Sequence, residues 1–81
     1  MTPTELLDTV SEGWRERLAI CLTDGIPEEE AIETANKQRL RSEVAAMLKM
    51  EYPDRRDYLE LVAKTRGRLD MRILRIALMN A

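Results

Sequence analysis

The chain has no histidine and no phenylalanine, one cysteine, and three aromatic residues, Trp14, Tyr52 and Tyr58. Each shortage removes a class of function. Without histidine there is no imidazole acid–base catalyst, no Ser–His–Asp or Cys–His nucleophile and no histidine-bearing zinc site. A lone Cys21 forms neither an internal disulfide nor a CxxC metal or redox motif. Three aromatics are too few for a base-stacking sheet or an OB-type groove. Long apolar runs are missing too: none exceeds five residues, as at Leu18 to Leu22, against the ~20 that span a bilayer. The opening Met1-Thr-Pro-Thr-Glu lacks the basic and apolar regions of a signal peptide. The expectation is a soluble, cytoplasmic protein with no membrane contact.

What is present fits one small domain, residues 1–81, with 44% hydrophobic residues and so enough to fold. A chain of this size buries only roughly 60–65% of its unfolded surface, so its core is lean or is completed by a partner. The net charge of −2 conceals two unlike halves. Residues 1–36 carry nine acids against Arg15 and Arg17, a net of −7; residues 37–81 carry eleven bases against six acids, a net of +5. Such a division suits mutual neutralisation, within one chain or between copies, or a basic surface for nucleic acid or an acidic protein partner.

Strand signals are absent, whereas helix punctuation recurs. Thr2-Pro3-Thr4-Glu5 has the form of a capped helix start. Leu7, Val10, Trp14, Leu18 and Cys21 then share one face, with Gly13 as a candidate kink and Gly25 as the C-terminal cap. Pro27 and Glu28–Glu30 open a second helix with stripes Ala31, Ile32, Ala35 and then Leu40, Val44, Met47, Leu48. The five-residue step between the stripes allows a bend at Asn36, and Tyr52-Pro53 is expected to stop this helix. Asp54 and Asp57 suit the cap of a third, bearing Tyr58, Leu59, Leu61 and Val62 and closed by Gly67. Asp70 suits the cap of a fourth, with Ile73, Leu74, Ala77 and Leu78 inward and Ile76 and Met79 on its other flank. The fold class is therefore all-α, a bundle of about four helices.

Candidate chemistry is sparse. Glu29 and Glu33 lie one turn apart, but helix-start electrostatics explains the acidic cluster better than a metal does. Cys21, at the C-terminal end of a helix and between Ile20 and Leu22, reads as an inert buried thiol. No metal, cofactor or catalytic residue is expected, and Cys21 should be replaceable by Ser or Ala at only a packing cost. The arginines offer more. Arg68, Arg72 and Arg75 are spaced four and three apart, Arg66 precedes them, and Arg55 and Arg56 begin the third helix. Arginine's planar fork serves phosphates and carboxylates alike. Against nucleic acid stand the interleaved acids and a weak helix-turn-helix match over residues 28–48, in which Asn36 suits the turn but the apolar positions after it do not fall where a recognition helix needs them. Trp14 reads first as core and second as an interface anchor. Arg66, Arg68, Arg72, Arg75 and Trp14 are thus the candidate partner-binding residues. Ile73, Ile76 and Met79 are the candidate self-association surface, in a homodimer using the last helix with help from the first.

Two segments carry a resemblance. Residues 17–31, RLAICLTDGIPEEEA, are similar to a short module that recurs in phage- and plasmid-encoded proteins. Residues 43–48, EVAAML, with Arg55–Val62, RRDYLELV, and Arg66-Gly67, resemble small uncharacterised phage proteins with an "RR-x-YL-x-x-V … RG" core. The resemblance implies a bacteriophage or mobile-element origin and no catalytic residue. It also implies stoichiometric action on a host-encoded protein, as an inhibitor of a bacterial defence or regulatory complex of the anti-CRISPR kind. A small nucleic-acid-binding transcriptional regulator and a structural or assembly adaptor are the competing classes.

Overall fold

The computed structural model describes residues 1–81 as four helices: α1 (Pro3–Thr23), α2 (Glu28–Met47), α3 (Tyr52–Arg66) and α4 (Arg68–Met79). The all-α expectation holds. Their ends follow from local chemistry. Thr2 caps α1, its Oγ1 accepting the Glu5 N–H at 3.2 Å, and Pro3 occupies the first turn. At the other end the Ile26 N–H reaches Cys21 O at 3.0 Å and the Gly25 N–H reaches Leu22 O at 3.2 Å. This paired closure is the Schellman motif, and it puts Gly25 at φ +82°.

Three expected boundaries move. Pro53 does not terminate α2; it stands in the first turn of α3, where its missing N–H costs nothing. The second helix ends earlier, at Met47, and Arg55 folds back onto its terminus. Arg55 Nε donates to Met47 O at 2.8 Å and Nη2 to Leu48 O at 3.0 Å. A cation on the last carbonyls satisfies them and complements the helix dipole. Similarly, Glu51 and Gly67 hold the cap positions of α3 and α4, not Asp54, Asp57 or Asp70. Helices α1 and α2 run unbroken through Gly13 and Asn36.

The core is one cluster: Leu6 and Val10 from α1, Met47 from α2, Tyr58 and Val62 from α3, and Leu74 from α4. Full burial of each such side chain is worth ~1.5–3 kcal/mol. Ala31 and Ala35 are fully buried, and Ala35 lines a groove with Val10 and Trp14, so small residues let α1 approach α2 closely. Helix α4 packs on α3 and α2. It contributes only Leu74 to the fully buried set, and Ile73, expected inward, is 47% exposed.

Candidate docking surface

Beneath α4 lies a polar network that joins α2 to α3 and reaches α4 through Asp70. Glu43 is buried, at 2% exposure. The Tyr58 hydroxyl and Arg66 Nη2 both donate to Glu43 Oε2, the latter at 2.7 Å, while Arg39 Nε approaches Oε1 at 3.8 Å. Arg39 Nη2 also reaches Asp70 on α4 at 3.7 Å. Burial, together with the hydrogen bond to Glu43, pushes the Tyr58 hydroxyl well above the usual tyrosine range. Burial and the neighbouring Arg66 charge lower the Arg39 guanidinium below its ordinary value. Arg66 Nε and Nη1 are buried without a partner in the chain, so this network is bought at a desolvation cost.

This arrangement corrects the sequence reading of Arg66. It does not join an exposed arginine face: its side chain is 15% exposed and turns inward to Glu43. Arg68, Arg72 and Arg75 are exposed as expected. Trp14 is elsewhere, half-buried in the seam between α1 and α2. Its Nε1 donates to Asn36 Oδ1 at 2.8 Å, and the Arg39 guanidinium lies 5.8 Å from its ring centroid. Trp14 therefore braces two helices and shares no site with the α4 arginines.

Around α4, residues follow one another every 100°. Opposite Leu74 this spacing sorts the exposed side into two strips. Arg68, Arg72 and Arg75, with Met79 among them, form a ridge toward α3. Leu69, Ile73 and Ile76 form an apolar stripe toward α2, at 72%, 47% and 57% exposure. Met79, 77% exposed, thus belongs to the arginine side and not to the stripe with Ile73 and Ile76.

Each strip borders a concavity. Between α3 and α4 runs a groove of about 460 Å³, lined by Arg56, Lys64, Arg68 and Arg75 over Leu59, Ala63 and Met71, with Glu60 its one acid. Between α2 and α4 lies a second, of about 340 Å³, where Glu29, Ile32 and Glu33 face Ile73 above the Arg39–Asp70 contact. Sequence reasoning missed Arg56 and Lys64 as groove residues because only the hairpin of α3 and α4 brings them beside Arg68 and Arg75. Glu43 had a fainter signal: it stands three residues after Leu40 and four before Met47, in phase with the apolar stripe.

No group of three or more Cys, Asp or Glu side chains gathers in a way that could hold a metal ion. No helix is long and apolar enough to cross a membrane. Comparison with family models, curated proteins and solved structures returned no match.

Proposed function

We propose that this protein works by stoichiometric binding, without chemistry of its own, and that the α3–α4 groove seats an acidic segment of a protein partner. The observation that carries this is the lining of the groove: four cations around an apolar floor, with a single acid among them. Cations alone would serve a phosphate backbone equally well. The floor of Leu59, Ala63 and Met71 favours a peptide, whose apolar side chains fill it while its carboxylates meet the guanidinium forks. The acidic first half of the chain, net −7 over residues 1–36, also repels a polyanion larger than the groove. The resemblance to phage-encoded proteins directs the proposal to a host-encoded partner in the bacterial cytoplasm, a defence or regulatory complex that the protein would inhibit.

Site-specific photo-crosslinking in host cells tests this reading. Probes at Lys64 and Arg75 should trap one protein, lost on Arg68→Ala with Arg56→Ala, whereas a probe at exposed Glu12 should not. Nuclease-sensitive adducts at the groove positions would instead establish the nucleic-acid reading. Adducts unaffected by the double substitution would remove the groove from either.

A further inference from the structure

We infer that the α2–α4 face is an interface between two copies of this chain, related by a two-fold axis. Its centre is apolar, with Ile32 of α2 bordering the exposed stripe Leu69, Ile73 and Ile76 of α4. Its two flanks carry opposite charge. Glu29 and Glu33, with Lys37 beside Glu33, line the α2 side of the concavity that Ile73 also lines. Arg72 stands beside the stripe on the opposite side, by the 100° spacing of the helix.

An apolar centre with acids on one flank and a cation on the other is its own complement. A half-turn about an axis through Ile73 carries each copy's Arg72 over the other's Glu29 and Glu33, so both charged contacts form at once. Glu33 lies 3.4 Å from Lys37 within the chain, but both side chains are 68% exposed, and such a pair is weak enough to exchange. The interior gives an independent reason for cover. Only 10 of 81 residues are buried, and α4 supplies one of them. A second copy would extend that lean core across the least covered helix. Arg68 and Arg75 stay turned toward α3 in this packing, so the interface and the proposed partner groove stand or fall separately.

Sedimentation equilibrium of the full chain tests the inference, run from low to high micromolar concentration and at two salt concentrations. The mass should rise from 9.4 kDa to twice that and stop, with weaker association at high salt. Ile73→Asp should raise the dissociation constant about 30-fold or more, the effect of removing a buried central contact. Arg72→Glu alone, or Glu29→Lys with Glu33→Lys, should each weaken the dimer by juxtaposing like charges. All three changes in one chain should restore it, because a two-fold axis pairs each reversed site with its reversed complement. Circular dichroism of each variant confirms the helical fold, and the rescue separates misfolding from lost contact. A monomer throughout would overturn the inference. So would open-ended growth, a dimer indifferent to Ile73→Asp, or a triple variant no tighter than its parents.

Discussion

Helices α3 and α4 are joined by a single residue, Gly67, yet they are held in place by different means. The third helix is held from inside: Tyr58 and Val62 are fully buried, and its exposed positions are mostly charged or polar. The fourth buries Leu74 and leaves Leu69, Ile73, Ile76 and Met79 in the open. Beyond Leu74 it packs only the half-buried Met71 and Leu78 on the core, and its start is tied by Asp70 to Arg39, next to the Arg66–Glu43 pair that ends α3. Packing uses up an apolar face, whereas a polar latch at one end leaves the faces available. That difference leaves α4 with the larger exposed apolar surface, and the proposed interface between copies rests on it.

The largest test of this contrast is removal of the latch. Glu43→Ala leaves Arg66 buried with no counter-ion and strips the Tyr58 hydroxyl of its acceptor, and should cost about 3–5 kcal/mol in chemical denaturation. Pairing it with Arg66→Met should recover a large part of that loss, since the uncompensated charge goes too. If Glu43→Ala costs no more than a surface change, the network does not hold the α3–α4 hairpin on α2.

Most of the fold could be read from the chain, and most of the site could not, for a definite reason. Caps and stops act over four residues, so Thr2, Gly25 and Gly67 announced themselves. Pro53 misled because proline suits the start of a helix as well as the region after one. Sequence spacing groups Arg55 and Arg66 with the other arginines, because it cannot show which guanidinium turns inward. Arg55 turns to the carbonyls of α2 and Arg66 to Glu43. The groove between α3 and α4 depends on a hairpin that aligns residues 56–64 with 68–75, a juxtaposition no local pattern encodes.

A second, smaller effect should appear as pH dependence. The folded-state hydroxyl of Tyr58 is pushed above its ordinary value, near 10, mainly by burial and then by the bond to Glu43. Below pH 10 both folded and unfolded chains keep this proton, and its stabilisation is fully present. Above it the unfolded chain releases the proton while the folded chain retains it, so stability falls with rising pH by up to about 1.4 kcal/mol per unit. Tyr58→Phe should cost about 1.5–3 kcal/mol at neutral pH, through the lost bond to a charged acceptor. It should also flatten the decline between pH 10 and 11. A decline equally steep in both proteins would assign it to other groups.

The smallest effect is the most local. Gly67 has φ +98° and ψ 164°, a region that residues with a Cβ avoid, and this conformation turns the chain from α3 into α4. A Cβ built there meets nothing within 4 Å, so Gly67→Ala introduces backbone strain without a clash. The expected cost is about 1–2 kcal/mol. Where that cost falls is more informative than its size. Tyr58 and Val62 are packed whatever Gly67 does, so α3 amides should keep their exchange protection. The first turn of α4 depends on the bend to bring Asp70 to Arg39, and its amides should exchange faster. Hydrogen exchange that speeds up in α4 and not in α3 would show that one helix is packed and the other latched. Equal acceleration in both would mean that the hairpin unfolds as a unit, and the contrast between its arms would be wrong.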